Sequence, residues 1–381
     1  MMIPSLAIIR SVKSDVTHNK VCGLYPLERN IRLLWHAGIK ELRLDLNDAD
    51  MKIYDKIRHR IRKLRDMKVV LLKNHAGNIS KKHIVISSAL FFQYHHIVKF
   101  DEFFREKGKV VQPVRDKGIF ILENSEDIRY AEKIAMEHIR VSAGGVIARN
   151  INKRISLPIS MRLARLGIHP NYITLFNFLF MLTGALMLWK NEYLWLLAAG
   201  TIFQLASIFD GCDGEVAKLT CTFSKSGAVF DTVNDYTCLI VYLAGASYLY
   251  YHKAGTFLTG VTIAIVFGGL FVIMGAVILY LVKYSLSKSF AAFAREFLGK
   301  LPKSDPIVFL TVKLQYFIRK EFYSWVAFLM AIPGLLYLMI PYTAITVIVA
   351  AFLCIALEIK YFPKLSREKS RVEMTYISQR S

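Results

Sequence analysis

Six apolar stretches, at about 171–189, 193–210, 228–251, 256–282, 322–340 and 343–359, constrain this chain more than any other feature. Each has, or nearly has, the roughly 20 residues a helix needs to cross the hydrocarbon core of a bilayer. The chain has 381 residues, 54% of them apolar or aromatic, yet 50 Lys+Arg against 29 Asp+Glu give a net charge of +21. The apolar content excludes disorder. Nucleic-acid binding explains the charge but not a mean hydropathy of +0.36, so no nucleic acid is expected as a partner. A membrane protein with its basic residues gathered on one side explains both facts.

The basic residues near the ends of the stretches fit that arrangement. Arg149, Lys153, Arg154, Arg162 and Arg165 precede the first stretch, and Lys218 and Lys225 lie between the second and third. Lys288, Arg295, Lys300, Lys303, Lys313, Arg319 and Lys320 lie between the fourth and fifth, and Lys360, Lys364, Arg367, Lys369, Arg371 and Arg380 follow the sixth. The alternate loops hold only Lys190 and Lys253. The positive-inside rule then gives a multi-pass protein of the cell membrane, with six spans and both termini cytoplasmic. The first stretch begins too late for a cleavable signal peptide.

Ahead of the spans, residues 1–150 read as soluble. Short apolar runs at Ser5–Ile9, Glu41–Leu44, Val69–Leu72, Ile84–Ile86 and Ile119–Leu122 have the length of strands. They alternate with helical patterns at Pro26–Ala37, Ala49–Leu64, Phe100–Lys107 and Glu126–Ile139, which predicts an α/β domain with a largely parallel sheet. Between the two halves, Ile147, Ile151, Ile155 and Ile159 recur every fourth residue, with Leu163 and Leu166 following. Basic residues fall between them, the pattern of an amphipathic helix at the membrane surface, interrupted or kinked near Pro158. The expected organisation is a front domain over 1–140, a juxtamembrane helix or linker over 141–168, six spans over 169–362 and a basic cytoplasmic tail over 363–381. Five cysteines, scattered and without a CxxC, support neither a disulfide framework nor a zinc site.

The chemistry concentrates where acids break the charge trend. Asp210 and Asp213 are three apart, Asp231 and Asp235 four apart, so each pair shares a helix face. The short loop between the pairs makes the two helices antiparallel neighbours, which brings four carboxylates to the cytoplasmic end of two spans. Ionisable groups at such a place are a functional-site hypothesis by default. Four of them cannot all ionise without cations between them. Mg2+ or Mn2+ suits an all-oxygen donor set, and two such ions can hold a diphosphate. Gly214, Ala217 and Gly227 let a ligand approach the backbone, and Lys218 offers a fixed charge to a phosphate. A calcium-hand loop starting at Asp210 fails, because its alternate ligand positions and final Glu are missing.

These residues resemble the signature of the CDP-alcohol phosphotransferases, D-x2-D-G-x2-A-R-x8-G-x3-D-x3-D. Here it reads Asp210, Asp213, Gly214, Ala217, Lys218, Gly227, Asp231 and Asp235, with every spacing kept and Lys218 in place of the usual Arg. Lys keeps the charge but loses bidentate geometry. His169-Pro170-Asn171-Tyr172-Ile173-Thr174 is similar to the opening of that family's first membrane helix, and the resemblance covers about 146–362. It implies a homodimer with a cytoplasm-facing site in each protomer. The implied reaction transfers a substituted phosphate from a CDP-alcohol donor to an acceptor alcohol, by in-line attack at the β-phosphorus with CMP leaving. Asp210 and Asp231 are then implied to touch both of two metals, Asp213 to hold one, and Asp235 to hold the other and act as general base. Gly214 and Ala217 would give the CDP moiety room, while Lys218, Ser224, Asn171 and Thr174 would meet the nucleotide or its phosphates.

The front domain carries a weaker likeness. Leu24-Tyr25-Pro26-Leu27-Glu28-Arg29-Asn30-Ile31, with Trp35-His36-Ala37-Gly38-Ile39, resembles a segment of the sugar-phosphate nucleotidyltransferases. Archaeal fusions join such a cytidylyltransferase, which makes CDP-inositol from inositol 1-phosphate, to a CDP-alcohol phosphotransferase that makes di-myo-inositol phosphate phosphate. The full fold expectation is an α/β nucleotidyltransferase-like domain followed by an all-α six-span domain. The chain departs from the nucleotidyltransferase pattern at its chemistry. No Gly precedes Gly23 after the first strand, where a Gly-rich loop cradles a triphosphate. Ser87-Ser88 stands where a metal-binding Asp is expected. The front domain therefore reads as a degenerate relative kept for structure, dimer contacts or regulation. His95-His96 reads as packing, and Lys283 and Lys288 as a positive flank.

Competing readings remain open at the level of sequence. An inositol-phosphate acceptor rests on the fusion likeness alone. Phospholipid biosynthesis from CDP-diacylglycerol or CDP-archaeol uses the same motif. A membrane prenyltransferase needs its acidic motifs on widely separated helices, and a divalent-cation transporter places its carboxylates near the midplane.

Overall fold

A computed structural model describes residues 6–72 (save 13, 15, 17 and 65), 83–98, 118–143, 148–283 and 301–378 (save 303). The chain divides into two compact units, Met1–Leu175 with Phe209–Thr232 and Phe176–Ile208 with Val233–Ser381.

The first unit is built on a four-stranded parallel sheet of order β3-β2-β1-β4, from β1 (Leu6–Arg10), β2 (Glu41–Asp45), β3 (Lys68–Leu71) and β4 (His83–Ser87). The apolar run of β1 is buried from Leu6 to Ile9, as a central parallel strand requires. Helix α1 (Pro26–His36) opens with Pro26, whose missing N–H costs nothing at a helix start, and buries Leu27, Ile31 and Leu34 at one-turn spacing. Helix α2 (Asp48–Ile61) is capped by Asn47, whose side chain accepts from the Asp50 N–H. The run at 119–122 does not join the parallel sheet. Its strand β6 (Phe120–Ile121) pairs antiparallel with β5 (Leu90–Phe91) in a separate ribbon. A short helix α3 (Tyr94–Val98) follows β5, and α4 (Ser125–Val141) opens with a capping box between Asn124 and Asp127. The helical pattern at Phe100–Lys107 lies outside the described residues. His96 accepts from the Gln93 N–H at 3.1 Å and His95 stacks on His138 at 4.3 Å, so both histidines serve packing.

A five-residue π turn at Ala148–Asn152 leads into α5 (Lys153–Arg165), which runs through Pro158 without a break. Leu157, Met161 and Ala164 bury against α4 and against Cys212, Val216 and Leu219. Ile151, Ile155 and Leu166 stay exposed, an apolar edge opposite the packed face. Ile147 lies outside the described residues. Gly23 sits at φ +82°, and a Cβ there would fall 2.1 Å from the Ala164 carbonyl oxygen, so only glycine lets the front domain meet α5 this closely. Gly23→Ala is expected to destabilise the fold by at least about 2 kcal/mol, through left-handed strain and the clash together. Thermal unfolding in detergent measures this; an unchanged midpoint would show that the contact carries no weight.

All six apolar stretches carry helix. Four helices among the described residues are long and apolar enough to cross a membrane, at Pro170–Lys190, Tyr193–Leu219, Phe257–Ala276 and Leu336–Tyr361. The corresponding elements are α6 (Pro170–Met187), α7 (Tyr193–Leu219), α9 (Phe257–Lys283) and the spanning part of α12 (Met339–Ser378). The third stretch forms a 30-residue helix, α8 (Lys225–Ala254), but Asp231, Asn234 and Asp235 lower its apolar character. The fifth breaks at Ile332-Pro333-Gly334, where Gly334 takes φ +76°. That leaves α11 (Lys320–Ala331) with 12 residues, a rise of about 18 Å against a hydrocarbon core of about 30 Å. Before it comes α10 (Pro306–Ile318). Lys288 lies outside the described residues, as does the side chain of Lys283.

In the second unit Phe203 stacks on Tyr242 with ring centroids 4.0 Å apart, inside a core that includes Leu196, Leu243, Ala327 and Met339. Asp305 caps α10 through the Ile307 N–H and accepts from Lys360 Nζ at 2.5 Å and from the Tyr361 hydroxyl. These bonds hold its carboxyl down at about 2. A depressed carboxyl contributes stability above its unfolded value near 4 and loses it as pH falls toward 2. Asp305→Asn is therefore expected to lower the melting temperature at pH 7 and to approach the parent below about pH 3. A difference independent of pH would rule this linkage out.

Candidate active site

The acids gather at the meeting of α7 and α8. Asp210, Asp231 and Asp235 present carboxylate oxygens within 4.8 Å of one another, all three half-buried. Each of the two helices runs unbroken through its acidic pair, and residues 220–224 make the short turn between them. That is why spacings of three and four residues converge. Asp213 is nearly fully buried and lies beside Asp210 and Asp231. It is held by the Thr174 hydroxyl from the first turn of α6 and by the Gly214 N–H. The donor set is oxygen only, densely anionic and partly shielded from water, which suits a hard divalent cation.

The other sequence-derived residues divide into groups. Thr174 is drawn into the acidic group, where it orients Asp213. Asn171 lies on the turn before it, and its Oδ1 would stand 3.9 Å from a Cβ on Gly227. Ser224 caps α8, accepting from the Gly227 N–H at 3.0 Å. Gly214 is exposed, with no atom within 4 Å of where its Cβ would be, so the surface over it is open to a ligand. Ala217 is half-buried on the same helix. Lys218 instead lines a cavity with Arg29, His138 and Phe223.

Two residues escape pattern reading. Lys320, at the start of α11, places its Nζ 2.6 Å from Asp235 Oδ1. Its sequence signal was only that of one more basic residue beside a span. Glu215 is 2% exposed. Its Oε1 accepts from Lys153 Nζ at 2.5 Å and Ser156 at 2.6 Å, and its Oε2 accepts from Ser160 at 2.7 Å. This ties α5 to the acidic stretch of α7. The spacing Lys153, Ser156, Ser160 marks one helix face, but nothing in the sequence connects that face to Glu215.

The sequence model of the CDP-alcohol phosphatidyltransferase family matches residues 167–356. The chain is similar to a protein of Archaeoglobus fulgidus named "Bifunctional IPC transferase and DIPP synthase", at 32% identity over 180 residues, 47% of this chain and 33% of that one. A Thermococcus kodakarensis protein of the same name is 30% identical over 222 residues, 54% of this chain and 46% of its own. One from Aquifex aeolicus is 33% identical over 115 residues, 30% of this chain and 26% of its own. The chain thus spans less than half the length of these relatives. The match takes in both acidic pairs, the Asn171 turn, the first three of the four apolar helices able to cross a membrane and most of the fourth. Through residues 167–356 the chain belongs to the CDP-alcohol phosphatidyltransferase family.

Proposed function

We propose that this chain is an integral membrane transferase that moves a substituted phosphate from a CDP-alcohol to the hydroxyl of an acceptor alcohol, releasing CMP. The observation that carries the reading is the convergence of Asp210, Asp231 and Asp235, with Asp213 buried alongside. Divalent cations held by these four carboxylates, two per site in our reading, would neutralise the diphosphate and the charge of departing CMP. The rest falls to the chain. Thr174 and the Gly214 N–H fix Asp213 in one orientation, so the group is pre-organised. The open surface over Gly214 and Ala217 receives the CDP moiety, and Asn171 and Ser224 border it. Asp235 takes the proton from the acceptor hydroxyl as its oxygen attacks the β-phosphorus, and the bridging oxygen leaves with CMP. Lys320, with its Nζ 2.6 Å from Asp235 Oδ1, positions that side chain until substrate arrives.

In this reading α8 and α11 complete a six-span bundle with both termini cytoplasmic, and the protein works as a homodimer. The front domain is a degenerate cytidylyltransferase-like module. We favour an inositol-phosphate acceptor, in keeping with the names of the relatives. One observation favours a lipid-bearing donor instead: Val229, Phe230 and Val233, flanking Asp231, are exposed apolar side chains. The test is CMP release by the reconstituted full chain with Mg2+, given CDP-inositol with inositol phosphate, CDP-diacylglycerol or CDP-archaeol with polar acceptors. EDTA-sensitive release from the first donor supports the favoured reading. Release confined to the lipid donors makes the protein a phospholipid synthase, and no release from any of them overturns the proposal.

A further inference from the structure

A cavity lies in the first unit, and none of the four aspartates lines it. Its volume is about 370 Å³, and Arg29, Gln93, Tyr94, His138, Lys218 and Phe223 are among its walls. They come from α1, the segment around α3, α4 and the end of α7 with the turn after it, so no single motif announces it.

Arg29 is the unusual member. It is 4% exposed. Its Nη1 donates to the Leu219 carbonyl at 3.0 Å and meets Cys221 Sγ at 3.4 Å, its Nη2 donates to the Phe92 carbonyl at 3.4 Å, and the guanidinium lies over the Phe91 ring at 5.1 Å. No carboxylate pairs with it among the described residues, although buried guanidinium groups are rarely left without a counter-ion. Its Nε is buried without a hydrogen-bond partner, and so is Nε2 of Gln93, a residue 6% exposed. Two buried donors thus stand unsatisfied on the walls of one cavity, where native structures seldom leave any. Lys218 adds a second cation, and among the described residues no acid lines the space. The remaining walls mix aliphatic side chains, Leu33, Ala135, Ile139 and Leu219, with rings: Tyr94 meets Phe223 edge-on at 5.3 Å, and His138, stacked on His95 at 4.3 Å, has no second ring against it among the described residues.

We propose that this cavity binds a compact anion carrying a planar ring, the chemistry of a nucleoside monophosphate. The phosphate meets Arg29 and Lys218, the Gln93 amide donates to the ring or ribose, and the base stacks among Tyr94, His138 and Phe223. No metal ligand is required, so the proposal stands apart from the reading of the acidic group. Because Lys218 lies one turn beyond Gly214 on α7, occupancy bears directly on the helix that carries Asp210 and Asp213.

The test is equilibrium binding of CMP and AMP to the full chain in detergent with EDTA, which removes cation-dependent binding elsewhere. One nucleotide per chain is expected to bind saturably, cytidine at least tenfold more weakly, with inorganic phosphate competing. Gln93→Leu and His138→Leu are each expected to weaken CMP at least fivefold. The proposal is overturned by an absence of saturable nucleotide binding in EDTA, or by cytidine binding as well as CMP. Affinity within fivefold of the parent, in whichever of the two variants folds, also overturns it.

Discussion

Asp235→Asn is expected to slow CMP release by about 10²–10⁴-fold, the usual worth of a positioned general base, while CDP-alcohol binding stays measurable. Asparagine keeps the size and one acceptor oxygen of aspartate, so the helix and the approach of Lys320 survive. It cannot take up the acceptor's proton. Asp235 and Asp231 lie four residues apart on one unbroken helix, so the substitution also removes a charge from the acidic group. The two effects are separable. A lost base lowers the rate of a single turnover at saturating Mg2+, whereas a lost ligand raises the Mg2+ concentration needed for half activity. Asp210→Asn is the comparison, because it lacks the base role and its deficit should shrink as Mg2+ is raised. Near-normal single-turnover release by Asp235→Asn would assign the base elsewhere. A deficit that Mg2+ fully restores would leave Asp235 a ligand alone.

Much of this site was legible because its chemistry lies within 26 residues on two neighbouring helices. Helical spacing alone puts Asp231 and Asp235 on one face, and the short turn at 220–224 puts Asp210 beside them. Lys320 was not legible as a partner of Asp235, since 85 residues separate them and only tertiary packing brings them together. Glu215 was hidden for the same reason: its donors lie on a different helix, 55 to 62 residues earlier. The parallel sheet followed from alternating strand and helix lengths, and four strands occur where the apolar runs place them. The run at 119–122 failed to join because a two-residue strand carries too little pattern to reveal its partner. Among the apolar stretches, α8 and α11 depart from the simple span for opposite reasons. α8 is long but carries the acids, whereas α11 is apolar but is cut short by Pro333 and Gly334. The acids lower the mean hydropathy of α8, but an average does not tell an acid placed for chemistry from any other polar residue, and it does not register a break placed by backbone geometry.

Glu215→Leu is expected to destabilise the protein by about 3 kcal/mol, the low end of the cost of breaking a buried ion pair. The carboxylate is 1% exposed and the Lys153 side chain 18%, so the lysine reaches some water once its partner is gone. Ser156 and Ser160 do not: the buried Ser156 hydroxyl loses its acceptor, and Ser160 keeps only the long contact to the Cys212 carbonyl at 3.5 Å. Lys153→Met alone is expected to cost less, because Glu215 keeps both serines as donors. The double variant, Lys153→Met with Glu215→Leu, is expected to recover part of the loss, since a buried pair replaced by apolar side chains of similar volume is often neutral. Unfolding in denaturant for the parent, both single variants and the double variant gives the coupling free energy directly. A double variant as unstable as the sum of the singles would mean that Glu215 acts through the serines and not through Lys153. A Glu215→Leu chain as stable as the parent would show that the tie between α5 and α7 carries no weight.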